Sequence, residues 1–254
     1  MLETPRRAVV ALVTVALLGA CGDGARQGEF YDPYEEQNRA VHAENKSLDK
    51  GLVRPVANGY GKYVPDPVRR SVSNFASNLS LPGMVVNDLL QFQLEDAISN
   101  TSRFLFNSTI GLAGLFDPAS SIGITERSSD FGETMHVWGV GEGHYVELPL
   151  LGPSTERDTI GMVADLALNP LNYILPGLEA GLATGASAAS TLDKRYRFTD
   201  TVDSVLYESA DSYAQARLLY LQNRRFTLGD TGAGADDPYA DPYADPYFDP
   251  YEDQ

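Results

Sequence analysis

The stretch SNFASNLSLPGMVVNDLLQFQLEDAISNTSRFLFNSTIGLAGLF, residues 73–116, decides how this chain is read. It consists mostly of helix formers, is split by Pro82 and Gly83, and carries more apolar residues than one helical face can hide. Nowhere does it reach the ~20 continuous apolar residues of a membrane-spanning helix. From Leu94 on, Leu94, Ala97, Ile98, Thr101, Phe104, Leu105 and Ser108 recur at the spacing of one helical stripe. Glu95, Ser99, Ser102, Arg103 and Asn107 lie opposite, yet Phe106 and Ile110 fall on that polar side. They need a cover, either a second helix or lipid.

Around this stretch the chain predicts short helices over 33–50, 54–63, 67–79, 83–91 and 94–110, most of them ended by Pro or Gly. Asp32-Pro33 and Asp66-Pro67 pair an N-capping Asp with a Pro suited to the first helical turn. Such frequent turning suits a curved or ring-like assembly. Between Phe131 and Gly152 the texture changes: Val137, Trp138 and Val140, a glycine cluster, then Tyr145, Val146 and Leu148 predict a β-hairpin or extended loop. Gly139, Gly141 and Gly143 do not make a phosphate cradle, because strand-like residues follow them where a helix N-terminus is required. A helix capped by Asp158 or Thr159 should run to about Asn169 and stop at Pro170. In the next, Gly177, Gly181, Gly185 and Ala189 stand at every fourth position. That ribbon is read as close backbone approach of the kind seen in membrane helices, as tight soluble packing, or as chance. A last helix over about 201–225, with Val202, Val205, Leu206, Tyr213, Ala216 and Tyr220 on one side, closes the domain.

The N-terminus speaks for export. Arg6 and Arg7 precede the apolar run Ala8 to Leu18, followed by Gly19, Ala20 and Cys21, the order of a secretory signal. The only cysteine of the chain thus follows Leu-Gly-Ala directly, as in a bacterial lipobox, where the thiol is acylated. Residues 1–20 read as signal peptide, 21–30 as tether, 31–228 as the helical domain and 229–254 as a tail. Gly22 after the cysteine resembles lipoproteins sent on to the outer membrane.

The tail repeats Asp-Pro-Tyr from Asp237 to Tyr251 at a period of four, so it cannot hold an α-helix and should be disordered with polyproline-like character. It reads as a solvated spacer, or as a docking element for a partner. The formal charge of -16 over 254 residues, without any cluster of Lys and Arg, excludes a nucleic-acid partner. Catalytic chemistry is equally unsupported. The three histidines are His42, His136 and His144, and no nucleophile–base set accompanies them. His136 and His144 with Glu133, Glu142 and Glu147 are a conceivable metal set, but two His flanking a turn more often serve as surface contacts. The chain is expected to need no cofactor and no metal, and not to be an enzyme.

An ordered series of short motifs has a family resemblance. Asp32-Pro33-Tyr34 with Asn38-Arg39-Ala40, Leu52 to Ala57, Tyr63-Val64-Pro65, Ser73-Asn74-Phe75 with Asn78-Leu79 and Pro82, and Val86-Asn87 with Leu90-Gln91 open it. Arg103-Phe104 with Asn107 to Leu112, Asp130-Phe131-Gly132, Trp138 to Gly141, and Tyr213, Arg217, Tyr220, Gln222 and Arg224 complete it. Together, over about residues 30–225, they resemble the MlaA (VacJ) lipoproteins.

That resemblance implies a mostly α fold: a ring of short amphipathic helices with one β-hairpin or extended loop, embedded in the periplasmic leaflet of the outer membrane around an amphipathic channel. It implies anchoring at Cys21, association with a trimeric porin, and passage of phospholipid to a periplasmic carrier that serves an inner-membrane transporter of the MCE type. The implied role is removal of phospholipid misplaced in the outer leaflet, which maintains lipid asymmetry. The alternative is an outer-membrane lipoprotein that scaffolds a porin or envelope complex without moving lipid. Motif positions place Asn74, Asn78, Asn87, Arg103 and Asn107 along the lipid path, Phe106 and Ile110 against lipid, and Trp138, Gly139, Gly141 and Gly143 in a gate hairpin. The chain departs from the family at His42-Ala43-Glu44, where a pair of phenylalanines is usual.

Overall fold

The computed structural model describes residues 32–175 and 177–229; the signal segment, Cys21, the tether and the Asp-Pro-Tyr tail lie outside them. The first helix, α1 (Glu35–Leu48), passes through a π-helical turn (Asp49–Val53) into α2 (Arg54–Tyr63). The sequence predicts a break here, but the backbone stays right-handed helical from Leu48 to Arg54. A wider π turn accommodates Pro55, which brings no N–H to the ladder.

Helix α3 (Asp66–Leu90) is one helix of 25 residues, where the sequence predicts two separated at Pro82 and Gly83. An interior proline costs about 3 kcal/mol, and polar side-chain bonds from both halves of α3 hold the helix against that cost. Asn78 Nδ2 donates to Ser108 Oγ at 3.0 Å, Asn87 Nδ2 to Asp165 Oδ1 at 2.7 Å, and Gln91 Nε2 to Thr134 Oγ1 at 2.9 Å. After α3 come α4 (Leu94–Thr109), α5 (Pro118–Ser121) and α6 (Phe131–Val137). The last overturns the expected strand, because the Asp130 carboxylate accepts from Glu133 N at 2.8 Å and starts a helix. The hairpin lies further on, β1 (Tyr145–Leu148) against β2 (Gly152–Thr155), antiparallel with Tyr145 opposite Thr155.

Helix α7 (Glu156–Leu168) is capped by the Thr155 side chain, which accepts from Asp158 N at 3.2 Å, so the cap lies before the predicted one. Then follow α8 (Leu171–Ile174), α9 (Gly177–Arg197), α10 (Thr199–Asp203), a second π turn (Ser204–Glu208) and α11 (Ser212–Thr227). The predicted closing helix is thus interrupted, and Asp211 caps its second part by accepting from Ala214 N at 3.1 Å. The small-residue ribbon of α9 receives no second backbone: Cβ atoms placed at Gly181 or Gly185 would meet nothing within 4 Å. The close approach is elsewhere, where Gly61 of α2 lies under the Tyr196 ring of α9.

Packing runs in a closed circuit. Helix α1 continues into α2, α2 packs on α9, α9 on α3, α3 on α6 and α7, α7 on β2, β2 pairs with β1, and β1 returns to α1. Mostly helical with one small β-hairpin, the fold agrees with what the resemblance implies, and its elements contact one another in a closed circuit.

Its polarity is inverted. The buried positions among the described residues include Asn38, Arg69, Asn78, Asn87, Asp88, Asn100, Arg103, Asn107 and Asp158, while the large buried apolar side chains are few: Leu81, Met135, and a cluster of Tyr145, Tyr213 and Leu221 with Tyr220 alongside. Exposed positions include Phe92, Leu94, Ile98, Leu105, Ile110, Leu150, Leu166 and Ile174. Helix α4 makes the point most directly: Ala97, Asn100, Arg103 and Asn107 are the buried face, and Ile98 is 67% exposed. Read as a soluble helix, the stripe from Leu94 to Ser108 would face inward; most of it faces out. No described helix is long and apolar enough to cross a membrane.

Candidate functional site

The inward polar face of α4 meets α3 at a cavity of about 230 Å³. Asn74, Ser77, Asn78 and Leu81 recur at helical spacing on one face of α3 and supply one wall; Arg103 and Asn107, one turn apart on α4, supply the facing wall. Asp117 and Glu126, on either side of α5, complete the lining.

Asp117 is the hub. It caps α5, with Ser120 N donating at 3.2 Å, and accepts from Arg103 Nη2 and Asn107 Nδ2, both at 3.0 Å. Burial works against its charge, but the bonds from Ser120, Asn107 and Arg103 outweigh that and hold its pKa below the usual aspartate value. Arg103 also donates to Ser120 Oγ at 3.0 Å and to the Ile124 carbonyl. Glu126 accepts from Ser77 Oγ at 2.6 Å and stands 4.0 Å from Arg103 Nη2. Two buried atoms of the lining have no partner: Asn78 Oδ1, an acceptor, and Arg103 Nε, a donor.

Behind Asn78 lies a second cavity, of about 320 Å³ and apolar, walled by Phe75, Leu79, Phe104, Leu171, Leu175 and Leu182. Asn78 lines both. Its position is fixed from outside by the turn after α4, where Leu112, Ala113 and Gly114 all have positive φ, at 53°, 59° and 90°. A Cβ on Gly114 would stand 2.5 Å from the Asn78 Cβ, so glycine there permits both the turn and the contact.

Of the residues nominated from sequence, Asn74, Asn78, Arg103 and Asn107 share this polar cavity, whereas Asn87 does not line it. Asn87 instead donates to Asp165 and accepts from Thr134 Oγ1 at 3.2 Å, tying α3 to α7 and α6. Phe106 and Ile110 are exposed, at 38% and 65%. Trp138, Gly139, Gly141 and Gly143 occupy the connection between α6 and β1 and are not part of the hairpin. Trp138 donates from Nε1 to the Leu90 carbonyl at 3.2 Å and meets Phe131 edge-on, so it is pinned to the end of α3. His42, at the departure from the family pattern, is buried between Glu147 at 3.3 Å and Ser212 at 3.1 Å. No cluster of metal-ligating side chains occurs among the described residues. Sequence reading misses Ser77, Asp117 and Glu126; Asp117-Pro118 is detectable, because it repeats the Asp-Pro helix start seen at Asp32 and Asp66.

A helical circuit with a polar interior, an apolar exterior and paired polar and apolar cavities defines an amphiphile-handling protein. The family model of the MlaA lipoproteins matches residues 30–227, and the chain belongs to that family. It is 35% identical over 225 residues to the "Intermembrane phospholipid transport system lipoprotein MlaA" of Shigella flexneri, covering 87% of this chain and 88% of that protein. Identity to the protein of the same description from Escherichia coli K12 is 34% over the same length and shares. An uncharacterized protein of Rickettsia felis is 37% identical over 190 residues, 74% of each chain. A solved structure described as "Structural basis for maintenance of bacterial outer membrane lipid asymmetry" matches with a TM-score of 0.68 at 33% identity, over 78% of this chain and 99% of that one.

Proposed function

We propose that this chain is the outer-membrane lipoprotein of a phospholipid transport system, a leaflet-embedded ring that takes up phospholipid misplaced in the outer leaflet and passes it to a periplasmic carrier. The observation that carries the reading is the inverted polarity: charged and amide side chains face inward and large apolar ones face out. Water does not stabilise that arrangement, since exposed apolar patches beyond a few hundred Å² mark interaction surfaces. Lipid covers the exterior, Phe106 and Ile110 included, and the polar interior carries the headgroup. Cys21 holds the anchor in the periplasmic leaflet, a trimeric porin is the membrane partner, and no covalent step is needed. The names borne by the Shigella and Escherichia relatives agree with this role.

The test is reconstitution of the acylated chain with porin and carrier in liposomes bearing labelled phospholipid. Label should pass to the carrier at a rate that depends on the lipoprotein. An intact complex that transfers no label would leave a scaffold in its place.

A further inference from the structure

We propose that the polar cavity is a headgroup subsite selective for zwitterionic phospholipid with a primary ammonium, the chemistry of phosphatidylethanolamine, over anionic phosphatidylglycerol. This inference rests on the conduit reading and names the substrate class of that same site.

The lining sets one cation, Arg103, against two carboxylates, Asp117 and Glu126, so the cavity is negative by one charge. An anionic headgroup brought in without a cation meets like charge, which costs binding in proportion to its desolvation. The orphaned atoms sharpen this. Arg103, 5% exposed, has an Nε–H with nothing to donate to, and Asn78, 3% exposed, has an Oδ1 with nothing to accept from. A buried polar atom left unpaired is costly, and here one orphan suits a phosphate oxygen and the other suits an N–H donor. A phosphoethanolamine group carries both. Its ammonium fits between the Asp117 and Glu126 carboxylates at the cavity wall, and its phosphate lies toward the Arg103 guanidinium.

The volume agrees: about 230 Å³ holds roughly seven or eight water-sized groups at ~30 Å³ each, close to the size of phosphoethanolamine. The apolar cavity, which shares Asn78 with the polar one and is lined by Phe75 and Phe104, takes the start of an acyl chain. Choline is the informative analogue, since it keeps the positive charge but has no N–H to give.

The experiment uses the full acylated chain in liposomes of equal parts phosphatidylethanolamine, phosphatidylglycerol and phosphatidylcholine. Protein is extracted, and the lipid that remains bound is identified by native mass spectrometry. Phosphatidylethanolamine should exceed phosphatidylglycerol by roughly tenfold, the scale of one charge-assisted hydrogen bond, with phosphatidylcholine between them. Glu126→Gln should reduce that ratio, and Glu126→Lys should invert it; Glu126 lies on a partly exposed loop rather than in a helix core. Bound phospholipid with no headgroup preference, or with ratios unmoved by Glu126→Lys, would overturn the inference and leave the conduit reading standing. Absence of any bound phospholipid would overturn both. Displacement by glycerophosphoethanolamine, which has the headgroup without chains, at the same concentration as diacyl lipid would overturn the pairing of the two cavities.

Discussion

Replacing Arg224 by Met should unfasten the closing helix α11 from α6 and α7. Arg224, near the end of α11, donates from Nη1 and Nη2 to Asp130 at 2.8 and 2.7 Å, and from Nε and Nη2 to Asp158 at 3.0 and 2.9 Å. One guanidinium therefore joins the cap of α6 and the first turn of α7 to the closing helix. Its side chain is 17% exposed, Asp158 is 8% exposed and Asp130 is 40% exposed. Burial works against the Asp158 charge, but the bonds from Arg224 and Tyr220 hold its pKa below the ordinary value. Removing one partner of a buried ion pair costs 3–5 kcal/mol. Since Asp130 can rehydrate and Tyr220 still donates to Asp158 at 2.6 Å, the lower end applies, about 3 kcal/mol. For a domain of this size that lowers Tm by roughly 6–12 °C. Circular dichroism in detergent gives the global transition, and emission of Trp138, the only tryptophan, reports from against the Phe131 ring, next in sequence to Asp130. Arg224→Lys should lose about half as much, since Lys keeps the charge without the bidentate fork. Adding Asp158→Asn to Arg224→Met should recover part of the loss, because the stranded charge is gone. A Tm within 2 °C of wild type for Arg224→Met would refute the argument, the threshold being about 1 kcal/mol.

Gly114→Ala should cost about 2–4 kcal/mol by denaturant titration, from positive φ and from the clash with Asn78; a neutral result would mean the turn is not as tight as drawn. The pH profile of Tm should peak in mildly acid solution. Burial raises the pKa values of Asp88, Glu133 and Asp165, so their contribution is full below the ordinary carboxylate range and is lost as pH rises through their higher values. In Asp49, Asp117 and Asp158 hydrogen bonds outweigh burial and lower the pKa, so their contribution is present above that range and is lost as pH falls through their lower values. A Tm that only declined from neutral pH downward would contradict this balance. Nitroxides on Ile98→Cys, Phe106→Cys and Ile110→Cys in bilayers should show high access to oxygen and low access to a water-soluble nickel chelate; the reverse pattern would place these positions in water.

Much of the fold was legible because helices, caps and breakers are local signals. The helix from Leu94 follows from such signals, and helices do begin near both Asp-Pro pairs, but neither Asp is the N-cap: α1 starts at Glu35 after Tyr34 and α3 at Asp66 after Pro65, in each case without a side-chain cap bond. Pro82 misled for the opposite reason: its local cost is real, but Asn78, Asn87 and Gln91 bond to residues far along the chain, which no local window can weigh. Phe131 to Val137 misled through β-formers, when the deciding residue was the cap, Asp130. At the cavity, Asn74, Asn78, Arg103 and Asn107 could be nominated from motif positions. Ser77 and Glu126 could not, and Asp117 only as a helix start, since their place at the cavity depends on the loop carrying α5 folding back over α3. Which face of α4 turns inward was not decided by periodicity, because a helical stripe has the same period in water and in lipid; only the partners available to Asn100, Arg103 and Asn107 settle its direction.

The inverted polarity also changes what stability means for this chain. If lipid covers Phe92, Ile98, Leu150 and Leu166 in the native ring but finds no such surface on the unfolded chain, every amphiphile molecule that binds acts as a linked ligand. Mass action then adds about 2.7 kcal/mol for each site held at a hundredfold excess over its dissociation constant. Melting temperature becomes a function of detergent or lipid concentration rather than a constant of the polypeptide.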